Sequence, residues 1–348
     1  MEIKKPIKWN IIIMLALCHL VTDGICISYL YSHFVSLPDN VILISLIIYN
    51  FLAFAFQPII GIIADIKKLN KPLLYLGLLL SAIAAFINMN IYLAAAIFGI
   101  TNSMVHVGGA GITINNSEDR IAPLGVFVSL GALGIGIGAL IPDIGRYIFG
   151  SLCIVILIIS LLILKKADNE KHYEAIIKDS KYMSYDLFII PVILLFVAVF
   201  LRGFSGYLAS PQFNKLIFDS ILIFMGVGIG KAVGGFIADK IGINKTIIIF
   251  FLPSLIIFGF FRDIKALYII GLLLINITMP LTLYLIIKCV KDFRNFAFGL
   301  TAALLMVGTF TAQLITGYSE IIIIISIIIS ATFIIIAQNK LRRKKCSN

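Results

Sequence analysis

Three charged side chains fall well inside long hydrophobic runs: Asp23, Arg202 and Lys231, with Asp219 near the end of another. A charge near mid-bilayer costs about 3 kcal/mol on insertion scales, so such residues usually face a cavity or a partner. His19 precedes Asp23 by four positions, which puts both on one helical face. His106 lies near the middle of a further apolar run. An imidazole can relay a proton near neutral pH, so His19, Asp23 and His106 are candidates for a proton-coupling cluster. The plainer reading is that each histidine donates one hydrogen bond to a backbone carbonyl. A two-histidine, one-carboxylate metal site is a third reading of the same residue types. Nothing in the sequence orders the three in space, and neither a resident metal nor a cofactor is expected.

The elements that must position these groups are membrane helices. Apolar residues make up 61% of the 348 and charged residues 13%, whereas a soluble domain is nearer half and a quarter. Val41 to Ala64 carries no charge at all, and about 20 apolar residues suffice to cross a bilayer as a helix. Twelve spans are predicted, at 9–32, 40–64, 72–89, 91–114, 121–142, 146–164, 185–207, 216–238, 246–261, 266–287, 295–316 and 319–338. The first carries His19 and Asp23, and no small-residue cleavage site follows it, so it is expected to be a span and not a signal peptide. The net charge of +11 fits the positive-inside rule better than nucleic-acid binding. With both termini cytoplasmic, 22 of the 28 lysines and arginines lie inside; Arg146, Lys215, Arg262 and Lys265 lie outside, and Arg202 and Lys231 within spans. The expected location is the cell membrane. Cys18, Cys26, Cys153, Cys289 and Cys346 form no C-x-x-C pair, and no disulfide is read from them.

The chain also repeats itself at half its length. Gly61 and Asp65 recur as Gly235 and Asp239, while Asn102, Arg120, Gly125 and Gly134 recur as Asn276, Arg294, Gly299 and Gly308, each 174 positions on. This divides the chain into an N-terminal six-helix bundle (1–164), a charged cytoplasmic linker (165–184) and a C-terminal six-helix bundle (185–348) with a basic tail. Halves of this kind rock about their seam in many carriers. Asp23-Gly24 loosely matches Arg202-Gly203, a few residues off the common offset. The expectation is that Asp23 and Arg202 pair across the seam in one state and part when Asp23 is protonated or Arg202 holds an anion. A static ion pair is the alternative.

Gly61-Ile-Ile-Ala-Asp65 followed by Lys67, Lys68 and Lys71, and Gly235-Phe-Ile-Ala-Asp239-Lys240-Ile-Gly242, resemble the signature loop between helices 2 and 3 of the major facilitator superfamily. The first copy lacks the second glycine and has Ile66 at the usual basic position. His19-Leu-Val-Thr-Asp23 and Asn102-Ser-Met-Val-His106 resemble segments of fosmidomycin-resistance-type efflux carriers, although Val107 replaces a proline and the Leu-Pro expected after the first segment is missing. The resemblance implies an all-α fold of twelve helices in two pseudo-symmetric bundles, with spans 1, 4 and 7 lining a central cavity. It assigns Gly61, Asp65, Gly235 and Asp239 to gating, each carboxylate binding a neighbouring helix N-terminus. Substrate-binding candidates are Arg202, Asn102, Asn276, Lys231 and Gln57, the last the repeat partner of Lys231. Snorkelling towards the cytoplasm is the plainer role for Lys231, and helix-to-helix bonding is as plausible for the asparagines. Glycines 131, 134, 136 and 138 in span 5 read as close-packing positions, and Pro280 as a bend.

The function implied is secondary transport of a small molecule by alternating access, with proton antiport (efflux) ahead of proton-coupled uptake of a small anion. An intramembrane enzyme or a non-transporting sensor is a more distant reading. No enzymatic activity is expected, and the chain has no G-x-x-x-x-G-K-[ST] loop. The expected partners are a small substrate, protons and lipid, with no nucleic acid and a monomeric state.

Overall fold

The structure, a computed structural model, describes residues 6–167, 185–210, 217–290, 292–315 and 320–346. The described residues form twelve helical segments and no strand: α1 (Trp9–Phe34), α2 (Asp39–Lys67), α3 (Asn70–Ala85), α4 (Ile91–Asn115), α5 (Ala122–Leu140), α6 (Pro142–Lys166), α7 (Tyr185–Leu208), α8 (Ile217–Ile241), α9 (Ile243–Phe261), α10 (Lys265–Cys289), α11 (Arg294–Gln313) and α12 (Glu320–Cys346). Eleven are long and apolar enough to cross a bilayer. The exception is α3, predicted at 72–89 but ending at Ala85 after 16 residues, a rise of about 24 Å. The chain turns at Asn88–Asn90 instead, where the Asn90 side chain caps α4 by accepting the Tyr92 N–H at 2.9 Å. The linker read at 165–184 lies outside the described residues from 168 onward, as do Lys215, Lys291 and the end of the basic tail.

Two helices are interrupted where the sequence carries proline. In α10 the helix breaks at Ile277–Thr278, just before Pro280, whose ring has no N–H to offer the preceding turn. In α2 a π-helical turn, Phe51–Ala55, precedes Gln57-Pro58. The freed Ala53 carbonyl is taken by the Gln57 side chain, whose Nε2 donates to it at 2.6 Å. That turn aims Gln57 into the N-terminal half.

The halves, α1–α6 and α7–α12, meet where α5 packs on α8 and where the Phe51–Lys67 part of α2 packs on α11. The Asp39–Asn50 part of α2 packs on α4 instead. One face of the molecule carries the basic residues Lys67, Lys68, Lys71 and Lys166, and on it the halves are joined by polar contacts. Asp65 accepts the backbone N–H groups of Asn295 and Phe296 at 3.1 and 3.0 Å, at the start of α11. Asp239 accepts those of Ile121 and Ala122, both at 2.9 Å, at the start of α5. The two contacts are repeat-related in both partners. Each satisfies helix N-terminal donors that have no partner within their own helix. Lys288 forms an ion pair with Asp119 on the same face, and Trp9 stacks on Phe236 at 5.5 Å.

Glycine contacts fix how the halves superpose. A Cβ on Gly134 of α5 would overlap the Leu20 carbonyl, and one on its repeat partner Gly308 of α11 would overlap the Phe200 carbonyl. Leu20 therefore corresponds to Phe200, an offset of 180 and not 174. The structural partner of Asp23 is Gly203, and that of Arg202 is Thr22. The match of Asp23 to Arg202 is thus one residue out, and the two side chains leave their helices about 100° apart, one residue's rotation. No ion pair among the described residues joins them.

Gly134→Ala and Gly308→Ala should each cost about 1–3 kcal/mol through overpacking, read as a lower unfolding midpoint of the purified protein. Gly206→Ala, with no atom within 4 Å of the added carbon, should leave the midpoint unchanged.

Candidate functional site

The N-terminal half buries a cluster around Asp23. Asp23 and His19 come from α1, Asn102 and His106 from α4, and Gln57 from the turn in α2; Asp23 is 4% exposed and Asn102 and Gln57 fully enclosed. Asp23 Oδ1 accepts from Asn102 Nδ2 at 2.7 Å and faces His106 Nε2 at 3.2 Å. Asp23 Oδ2 lies 3.2 Å from His19 Nε2. The imidazoles meet edge-on, 4.1 Å between centroids.

The partners determine where the protons sit. His19 Nδ1 lies 3.0 Å from the Phe127 carbonyl oxygen, which can only accept, so Nδ1 carries a hydrogen. His106 Nδ1 faces Gln57 Nε2 at 3.1 Å. The same Nε2 donates to Ala53, which fixes the amide orientation. His106 Nδ1 is therefore the acceptor, and its proton is on Nε2, pointing at Asp23. That leaves the gap between Asp23 Oδ2 and His19 Nε2. A neutral His19 and an ionised Asp23 would oppose two lone pairs there, so the arrangement calls for one further proton, shared along that 3.2 Å line. Gly131 of α5 packs on the same gap, and a Cβ there would overlap His19 Nε2.

The histidine nitrogens and the carboxylate lie within 4.8 Å of one another, a donor set that could hold a divalent transition metal. His106 fits that use poorly, because the Gln57 contact places a hydrogen on the Nε2 that would have to bind the ion. The hydrogen-bond pattern suits a proton.

The C-terminal half holds a cavity of about 510 Å³. Arg202, Lys231 and Asn276 line it; Asn102 and Gln57 do not. Arg202 is 8% exposed. Its Nη2 donates to Thr282 Oγ1 at 2.8 Å, while Nε and Nη1 have no protein acceptor. Lys231 lines the cavity. Its backbone packs on α5 across the seam, where a Cβ on Gly125 would overlap the Lys231 carbonyl.

No protein-family model matches this chain, and no curated protein matches it by sequence. Solved structures do. A major facilitator superfamily transporter, FucP, in its outward conformation aligns over 95% of this chain and 98% of its own, with a TM-score of 0.67 and 14% identity. A variant of the E. coli fucose:proton symporter FucP aligns over 94% and 98%, with a TM-score of 0.63 and 11% identity. The chain has the major facilitator fold. At such identity the likeness carries the architecture and nothing of the substrate.

Within the major facilitator fold, the sequence-derived candidates separate into three places. His19, Asp23 and His106 come together, joined by Asn102 and Gln57, which were candidates for the substrate. Arg202, Lys231 and Asn276 share the cavity of the other half. Gly61, Asp65, Gly235 and Asp239 lie on the basic face, with the two carboxylates on helix N-termini. Two contributors were not read from sequence as part of any site: Gly131, whose only signal was a run of small residues, and Phe127, which acts through its carbonyl and so leaves no mark in residue type.

Nitrogen-15 NMR of histidine-labelled protein should show His106 as the Nε2–H tautomer and His19 with Nδ1 protonated. Gly131→Ala should shift the His19 resonances more than those of His33, which lies far along α1.

Proposed function

We propose that this protein is a secondary active transporter that couples proton movement to that of a small molecule by alternating access. The observation behind it is the buried proton position between Asp23 Oδ2 and His19 Nε2, in a two-bundle fold whose halves are latched on one face. With the basic face cytoplasmic, as the positive-inside rule favours, the latched form is open to the exterior. Asp65 and Asp239 act as the latches. Both must release their helix N-termini for the cytoplasmic side to open. The two latches match and face opposite directions across the seam, so the halves can pivot as rigid bodies.

The coupling route runs through Asp23. Ionised, it attracts Lys231 across the seam; protonated, it does not, and the balance between the latched and open forms shifts. Lys231 thus takes the role that the sequence suggested for Arg202. Proton and substrate positions lie in different halves, so both can be occupied at once. That favours movement of proton and substrate in the same direction. Antiport export is the second reading, favoured by the resemblance of the His19–Asp23 and Asn102–His106 segments to efflux carriers. The small substrate, protons and lipid are the partners in either case, with the monomer as working unit in the cell membrane.

In proteoliposomes, Asp23→Asn should abolish flux driven by an imposed pH gradient while insertion and thermal stability persist; normal flux in that variant removes Asp23 from coupling. Arg202→Ala should cut transport at least tenfold more than Arg146→Ala, because Arg146 is held by Asn88 and Tyr147 away from the cavity. Substrate accumulation with acid outside indicates symport, and accumulation with acid on the substrate-free side indicates antiport.

A further inference from the structure

The cavity of the C-terminal half is lined by two cationic side chains, Arg202 and Lys231, and, among the described residues, by no acidic one. Part of its polar lining is committed to the helices that carry it. Asn276 Nδ2 donates to the Leu272 carbonyl at 2.8 Å. Thr309 Oγ1 donates to the Leu305 carbonyl at 3.0 Å. Ser205 Oγ lies 3.4 Å from the Arg202 carbonyl. Charged donors remain on two residues, and the hydroxyls of Tyr207 and Ser210 also line the space. Arg202 presents Nε and Nη1 without a protein acceptor, and Lys231 has no hydrogen-bond or ion-pair partner among the described residues. The remaining wall is apolar, with Phe224, Leu272, Ile275, Met279 and Leu305 facing the space.

A guanidinium offers a carboxylate or similar oxyanion two bidentate edges, Nε with Nη2 and Nη1 with Nη2, and on Arg202 each edge keeps a nitrogen without a protein acceptor. Thr282 holds the third nitrogen, so the fork is oriented before any ligand arrives. Thr282 is itself fixed, because its hydroxyl donates to the Met279 carbonyl at 2.9 Å. Leaving a buried guanidinium short of acceptors is costly, and an anion in the cavity would relieve that cost. About 510 Å³ is room for a small organic molecule.

We propose that this cavity binds an amphiphilic organic monoanion, with one oxyanion head on the open donors of the Arg202 guanidinium, supported by Lys231, and a hydrocarbon or aromatic body against Phe224, Ile275 and Met279. The inference rests on the reading of the chain as a carrier and names the class of its cargo. A neutral polyol such as fucose would leave the Arg202 and Lys231 charges without a counter-charge in the cavity.

The test is equilibrium binding by calorimetry to the purified full-length protein without a pH gradient, using phenylacetate, hexanoate, the neutral amide phenylacetamide, and L-fucose. At least one of the two carboxylates should bind saturably with one site per chain. Phenylacetamide should bind at least about tenfold more weakly than phenylacetate, and L-fucose not at all; a charge-assisted pair of this kind corresponds to about tenfold or more in affinity. Arg202→Gln should weaken carboxylate binding at least about tenfold. Arg202→Lys, which keeps the charge and loses the fork, should recover only part of it, and the unfolding midpoint of each variant checks that it is folded. Absence of binding by both carboxylates, equal binding of acid and amide, or unchanged affinity in a folded Arg202→Gln protein each overturns the assignment. Because no proton gradient enters the assay, those outcomes leave the transport reading standing on its own flux measurements, and a failure of proton-driven flux leaves the binding result intact.

Discussion

A charge enclosed in an apolar helix bundle must be answered by hydrogen-bonding groups, and the two halves of this protein answer theirs unequally. Asp23 is surrounded: Asn102 and His106 donate to one oxygen and His19 faces the other. Arg202 is held at one nitrogen, and its other two have no protein acceptor. The first arrangement is self-sufficient once it holds one proton. The second leaves two nitrogens open to a ligand. On the proposed reading this inequality divides a proton position from a ligand position in a fold built from two copies of one plan.

The pseudo-symmetry is strict where it serves mechanics and broken where it serves chemistry. Asp65 and Asp239 make the same contact with the same helix ends, and Gly134 and Gly308 press on the same carbonyl. At the next positions the copies diverge. Asp23 of one half stands where the other has Gly203, and Gly131 beside Asp23 stands where the other has Leu305. Space given up on α5 makes room for the carboxylate and its histidine. In the C-terminal half the same place is filled by backbone and leucine, and the charge moves one residue back to Arg202. Lys231 and Gln57 are likewise repeat partners with different tasks: one lines the cavity, and the other fixes the proton on His106.

Much of this was legible in the residues. Spans follow from length and apolarity, the two bundles from the repeat, the carboxylate contacts with helix N-termini from the signature loops, and the buried polar cluster of α1 and α4 from charges that have no reason to lie in a membrane. What the sequence did not yield was relative placement. In a uniformly apolar stretch no landmark fixes the offset between copies to the residue, so the sequence aligns Asp23 with Arg202 where the structure aligns it with Gly203. Side-chain amides are equally mute, because Gln57 and Asn102 suit a substrate, a helix contact or a histidine alike. The Phe127 carbonyl, which sets the tautomer of His19, belongs to the backbone and has no signature.

The central claim is that proton and cargo occupy separate positions in separate halves. Charge movement on a solid-supported membrane, recorded as phenylacetate or hexanoate is added at equal pH on both sides, tests it directly. The rapid transient of ligand binding should survive Asp23→Asn and vanish in Arg202→Gln, whereas sustained current under a pH gradient should vanish in both. Loss of the binding transient in Asp23→Asn as well would mean that the two positions are one, and the account would fail.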